Sequence, residues 1–493
     1  MYALGYDVGS SFVKAAILDV EHGSVVAAAS FPDTEMAIHS PVPGWAEQDP
    51  ESWWNAVVGA TRLAASRASI SLYDIRTIGV SYQMHGLVLV DRDGDPLRPS
   101  IIWCDSRATE IGRKAFSEIG ESVCLKEMLN SPGNFTASKL HWVKKHEPEV
   151  YDKAYKMLLP GEYVALRLTG DFKTTISGLS EGIFWNFPAN DVSERVLSHF
   201  GLRNDLLAEH VPSMGFQGSL TEQAARELGL KAGIPIAYRA GDQPNNAFSL
   251  NVLEPGEIAA TAGTSGVVYA VSGSLNCDPQ SRINAFAHVN HTPQTPRVGI
   301  LMCINGTGIS NSWIRKLTGE ADLTYEKMNE LAAAVPVGSK GLSVLPFGNG
   351  AERMFRDKDL GASVHGLNFN THSRPEMFRA VQEGVAFAFK YGIEIMQSLG
   401  IRPRVLRAGA ANMFLSPVFC KTLASVADVQ IELYNTDGAQ GAARAAAVGA
   451  GLVPSTKEAF RGLSLVQRIE PETNNSDYLQ AYNSWLELLK QLL

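Results

Sequence analysis

Asp7 is followed, after one valine, by Gly9, Ser10 and Ser11, a spacing suited to phosphate chemistry. The hydrophobic run reaching Asp7 and the alternating run over 11–19 read as a two-strand hairpin with a small polar tip. Such a tip can bring backbone N–H groups close to an anion, and an acid at the strand end can help hold a metal ion, directly or through water. The arrangement recurs over 256–270, where the tip is Gly263-Thr264-Ser265-Gly266. Either hairpin alone is equally an ordinary β-turn. As a pair in matching places of two halves, they point to a nucleotide triphosphate.

Other polar residues sit at apparent strand ends. Gly241-Asp242-Gln243 follows a short strand and precedes Asn245-Asn246-Ala247. A carboxylate there can accept the proton of a hydroxyl as it attacks a terminal phosphorus; it can also simply cap the next helix. Gln83-Met84-His85-Gly86 interrupts two apolar strands with groups able to bind a polyol, although His85 also fits as a structural histidine. In Trp103-Cys104-Asp105-Ser106-Arg107 a flat aromatic and an acid could meet sugar C–H groups and hydroxyls. The alternative is a buried Trp103 with Asp105 capping a helix that starts at Ser106. Gly409-Ala410-Ala411-Asn412 and Asp437–Ala443 are small-residue stretches at helix starts. They allow a flat ring near the backbone, with Asn412 available to an adenosine, or else close helix packing.

The elements that must position these residues suggest an α/β enzyme of two domains. A chain of 493 residues exceeds what one core usually supports, and the connection lies between about 245 and 256. Strands are expected over 2–8, 11–19, 24–31, 75–81, 86–91 and 235–240. Helices are expected from Pro50 to about Ser69 and over 106–119, 136–146, 310–318, 324–334, 375–399, 415–427 and 476–493. The net charge of −8 argues against nucleic-acid or anionic-membrane partners. No apolar run is long enough to span a bilayer. Five scattered cysteines without CxxC spacing fit free thiols in a reducing cytoplasm.

Together these segments resemble the FGGY family of carbohydrate kinases over nearly the whole chain, and within it the bacterial xylulokinases. The resemblance is carried by Pro43-Gly44-Trp45-Ala46-Glu47-Gln48-Asp49-Pro50 with Trp53-Trp54, by Gln83-Met84-His85-Gly86, and by Trp103–Arg107. Phe135–Trp142 falls on the family's first signature and Gly366–Gly384 on its second. The resemblance implies two domains of the actin/hexokinase/Hsp70 (ribonuclease H-like) type, 1–250 and 251–493, with sugar and ATP meeting in the cleft between them. It makes Asp242 similar to the catalytic base and Met84 and His85 to the sugar-binding pair, with Trp103, Asp105 and Gln243 as further members of the sugar site. Asp7 would serve Mg2+. Gly9, Ser10, Ser11, Gly263 and Thr264 resemble the phosphate loops, and Gly308, Gly409, Ala410 and Asn412 match positions that contact the nucleotide.

The chain departs from the family pattern in three places. Gly350-Ala351-Glu352-Arg353-Met354-Phe355 replaces Gly-Glu-Arg-Thr-Pro; Pro244-Asn245-Asn246 follows Asp242-Gln243 where small residues are usual; the loop ending at Asn412 is one residue shorter. The activity implied is transfer of the ATP γ-phosphoryl group to the terminal hydroxyl of a ketopentose, D-xylulose giving D-xylulose 5-phosphate. Ribulose, gluconate or glycerol as acceptor is the alternative within the family, and a nucleotide-gated, non-catalytic sugar-binding protein the alternative outside catalysis. The partner implied is a small-molecule sugar, with a homodimer as the assembly entertained.

Overall fold

The computed structural model describes residues 1–318, 323–356 and 358–493. The chain packs into two compact units. The first comprises Met1–Asn251, Phe286–Val298 and Thr436–Leu463; the second comprises Val252–Ala285, Gly299–Asn435 and Ser464–Leu493. Packing therefore does not follow a single cut at 250/251, because a late segment of the chain belongs with the first unit. Among the described residues no helix is long and apolar enough to cross a membrane.

In the first unit a five-stranded sheet runs Ile236–Gly241, Ile75–Tyr82, Tyr2–Val8, Val13–Asp19, Val25–Phe31. The first three strands are mutually parallel and the last two antiparallel. Their apolar side chains, with Trp53 and Trp54 of the helix Pro50–Arg67, form the main core. Register decides function here. Asp7 pairs with Ser81 and Gly241 with Tyr82, so the three parallel strands end level with one another. Ligand-binding groups of open α/β sheets collect beyond such carboxyl ends.

The late segment explains one small-residue stretch. The helix Gly438–Gly449 lies against Tyr2–Val8 and Ile75–Tyr82, and its residues Gly438–Ala447 are all buried. A Cβ on Gly5 would overlap the Ala439 carbonyl, and one on Gly79 the Ala442 carbonyl. The Gly/Ala pattern thus serves close helix–sheet packing in the first unit.

In the second unit the strands Val298–Ile304, Gly266–Ser272, Ile258–Ala262, Val405–Gly409, Gln430–Tyr434 and Leu465–Ile469 lie side by side in that order. Ile258–Ala262 is parallel to Val405–Gly409, pairing Ala260 with Ala408. The Gly263 tip and the Gly409–Asn412 loop therefore leave the sheet at one edge. The long helix Arg374–Ser398 packs across this unit, starting from a Ser373/Glu376 capping box.

Candidate active site

In the first unit, Asp7 lies next to the last residue of its strand, while Met84, His85 and Asp242 follow the ends of the strands Ile75–Tyr82 and Ile236–Gly241. Asp7 accepts a hydrogen bond from Ser81 Oγ at 2.8 Å. A Cβ on Gly438 would lie 2.5 Å from Asp7 Oδ2, so glycine there lets a helix start close over the carboxylate. Asp242 is the first residue of the helix Asp242–Ser249; the cap position is Gly241, so the side-chain cap allowed by the sequence does not form. Burial first, and then the charge of Asp7, pushes the Asp242 carboxyl up to about 7, while Gln243 eases it. Asp7 is raised for the same leading reason, with Lys14 and Ser81 opposing. Two neighbouring buried acids, each raised first of all by burial, suit a divalent cation. Among the described residues no third acid, His or Cys completes an all-protein cluster. That donor set fits Mg2+, which ordinarily takes one or two carboxylates and completes its shell with phosphate and water.

Met84 is buried against the backbone of Gly241: a Cβ there would lie 2.5 Å from Met84 Cγ and 2.8 Å from Glu181 Oε2. His85 has φ of 63°, and its Nδ1 lies 3.1 Å from the Glu181 carbonyl. Burial, then Lys139, lowers its pKa to about 3, so the ring is neutral at physiological pH. Trp103 is 44% exposed, an open aromatic face whose Nε1 donates to Ser10 Oγ at 3.4 Å.

Asp105 requires a correction. Its carboxylate is fully buried and accepts from Ala46 N at 2.6 Å and from Arg107 Nε and Nη2 at 2.9 and 2.7 Å. It presents no oxygen to a sugar. Nor does it cap a helix at Ser106, since the helix Thr109–Ile119 begins later, with Ala108 as cap. The Asp105–Arg107 pair, stacked on Trp45 and Trp142, fixes the loop that displays Trp103.

The first tip is braced from outside the hairpin. Gly9 N–H donates across the turn to the Phe12 carbonyl at 3.0 Å, leaving Ser10 and Ser11 at the tip. Gln48 Nε2 donates to the Ser10 carbonyl at 2.6 Å, while Gln48 Oε1 accepts from Trp53 Nε1 at 3.1 Å. Gln48, Lys139 and Glu181 escaped the residue-by-residue reading. Gln48 lies inside a quoted motif and Lys139 inside the first signature, whereas nothing in the sequence marks Glu181. Glu181 is buried with neither carboxylate oxygen hydrogen-bonded. Burial raises its pKa well above the usual range, and the Tyr82 hydroxyl lies beside it short of hydrogen-bond geometry.

In the second unit, Gly308 N donates to the Gly263 carbonyl at 2.8 Å and Ile309 N to the Thr264 carbonyl at 3.2 Å. The helix Gly308–Leu317 thus begins against the second tip. A Cβ on Gly308 would overlap that Gly263 carbonyl. Asn412 has φ of 54°, and its Nδ2 lies 3.6 Å from where a Gly263 Cβ would stand. The Ala410 amide is already committed to the Tyr434 carbonyl at 2.9 Å, so any contact it makes with a nucleotide is through other atoms. The structure brings Gly263, Thr264, Gly308 and Asn412 together, with Gly409 and Ala410 on the adjoining strand end.

Acids and a neutral histidine gather near the strand ends of one unit, and in the other a glycine tip lies against a helix start. The chain matches the model of the FGGY family of carbohydrate kinases, N-terminal domain, over residues 2–249, and that of the C-terminal domain over 258–450. It belongs to this family, and is a carbohydrate kinase with the family's two-domain, actin/hexokinase-like fold. It is 30% identical to a xylulose kinase of Escherichia coli K12 over 99% of both chains. Among solved structures it resembles a xyloylose kinase from Brucella ovis, with TM-score 0.90, 29% identity and coverage of 100% and 99%. A xylulose kinase from Rhodospirillum rubrum gives TM-score 0.89 at 25% identity, with coverage of 100% and 99%.

Proposed function

We propose that this carbohydrate kinase transfers the γ-phosphoryl group of ATP to the terminal hydroxyl of D-xylulose, giving D-xylulose 5-phosphate and ADP. Asp242 carries the reading. It is an acid at the N-terminus of a helix, beside Asp7, with its pKa pushed up to about 7, poised to take a proton near neutral pH. In the proposed mechanism Asp242 accepts the proton of the attacking hydroxyl. Met84, His85, Trp103 and Gln243 hold the sugar, the neutral His85 offering Nε2 for hydrogen bonding while Trp103 covers an apolar sugar face. Ser10, Ser11 and the Gly9 turn accommodate phosphate oxygens in the first unit. Gly263, Thr264, Gly308, Gly409, Ala410 and Asn412 take the nucleotide in the second. Asp7 would hold Mg2+, which when bound neutralises charge developing on the phosphates.

The ketopentose acceptor is supported by the names of the relatives, and by Met84-His85 standing where glycerol kinases usually carry an Arg-Glu pair. The test is a coupled ADP-release assay across D-xylulose, ribulose, gluconate and glycerol at equal concentrations. D-xylulose should give the highest kcat/KM. A preference for any of the others refutes the acceptor assignment.

A further inference from the structure

Lys139 lies on the helix Thr136–His146 and is fully buried. A buried ammonium persists only where its donors are met. Its Nζ donates to the His85 carbonyl at 2.8 Å and to the Ile102 carbonyl at 3.0 Å. Those two carbonyls belong to separate loops, one displaying Met84-His85 and the other Trp103. His85 also needs holding, because a histidine at φ of 63° sits in a sparsely populated region of backbone space. Its ring is fixed at Nδ1 by the Glu181 carbonyl and flanked by Phe135 and Phe286, with centroids at 4.6 and 5.2 Å. Its carbonyl is fixed by Lys139.

We propose that Lys139 is a positioning residue for the sugar: one ammonium clamps the His85 and Ile102 carbonyls, holding the His85 and Trp103 side chains at a single spacing. This rests on the reading of His85 and Trp103 as sugar-facing. Charge makes the clamp strong, since charge-assisted hydrogen bonds are about twice as strong as neutral ones. The titratable and charged groups facing Lys139 are Asp105, Cys104, Arg107, Glu181 and the His85 ring. Burial, the largest influence, lowers the Lys139 pKa to about 8; Asp105, Cys104 and Glu181 oppose it, and Arg107 reinforces it. The ammonium is charged at neutral pH and loses its charge above that value. The clamp therefore weakens in mild alkali, and sugar binding weakens with it.

Lys139→Met keeps the length of the arm and removes the donors. It is expected to raise the KM for sugar about tenfold or more while leaving the KM for ATP within about twofold, as loss of charge-assisted hydrogen bonds at one subsite implies. In the unaltered enzyme the sugar KM should climb above about pH 8, and in Lys139→Met that rise should vanish. His85→Ala is measured alongside. If His85→Ala raises the sugar KM and Lys139→Met leaves it unchanged, the clamp is refuted while the site reading stands. If neither variant moves it, the site reading falls and the clamp with it. Should Lys139→Met fail to fold, the unaltered enzyme still decides: a sugar KM flat from about pH 7 to about pH 9.5 overturns the proposal.

Discussion

Replacing Asp242 with Asn removes a charge while keeping the side chain's shape, and should have opposite consequences for rate and stability. With Asp242 as the proposed general base, its loss should cost ~100-fold to ~10,000-fold in kcat. Because burial and Asp7 place the unaltered carboxyl near 7, activity should follow its ionised fraction. From pH 8 to pH 6 that fraction falls from about nine-tenths to about one-tenth, so kcat/KM should drop roughly tenfold. The stability effect follows from the same shift. An acid whose folded pKa lies above its unfolded value binds more protons when folded, so stability falls as pH rises between the two. Going from 3.8 to about 7 is about three pKa units, which corresponds to at most about 4 kcal/mol lost by pH 8.

Asp242→Asn should recover much of that at pH 8 and little at pH 4, where the folded acid is neutral and the unfolded one only about half ionised. At about 2 °C per kcal/mol for a unit of this size, the midpoint of thermal unfolding should rise by several degrees. The assays are coupled ADP release from pH 5.5 to 9 and thermal unfolding at pH 8 and pH 4. Retention of more than a tenth of kcat would refute the base assignment. A variant no more stable than the parent at pH 8 would refute the claim that Asp242 is held ionised against burial.

Gly79→Ala should destabilise the first unit by ~1–3 kcal/mol or more, because the added methyl overlaps the Ala442 carbonyl of the packed helix; a lowered unfolding midpoint checks it. Gln48→Ala releases the Ser10 carbonyl and should raise the KM for ATP by about fivefold to tenfold, more than the KM for sugar. Steady-state kinetics with each substrate varied will show whether the effect falls on the nucleotide. Gly308→Ala forces the start of its helix away from Gly263 and should weaken ADP binding about tenfold or more, measured by calorimetry, with sugar binding unaltered.

How far each residue could be read from the chain alone depended on how local its constraints are. Alternating and helical periodicity marked the strands over 2–8 and 75–81 and the helix from Pro50, which form over Tyr2–Val8, Ile75–Tyr82 and Pro50–Arg67. The helix Pro160–Thr169 likewise ends at a glycine, Gly170, with φ of 75°. Such features follow from backbone sterics and nearest neighbours, and need no knowledge of the rest of the fold. Asp105 was misread because an acid beside an aromatic at a strand end looks the same whether it faces a sugar or a buried guanidinium. Only the approach of Arg107 and Ala46 N–H settles which.

The sequence by itself determined the family, the polar tips and the identity of the acids, since these rest on residue types at short spacing. Tertiary structure alone decided that Asp7 and Gly241, the residue before Asp242, finish level with one another, because that depends on the register of three parallel strands far apart in the chain. It also decided that the helix Gly438–Gly449 belongs to the first unit, where glycines at 5 and 79 let its backbone approach the sheet. Lys139 is the sharpest instance. Its type and position were plain in the sequence, but the two carbonyls it joins lie 54 and 37 residues away, and only folding brings them to one ammonium.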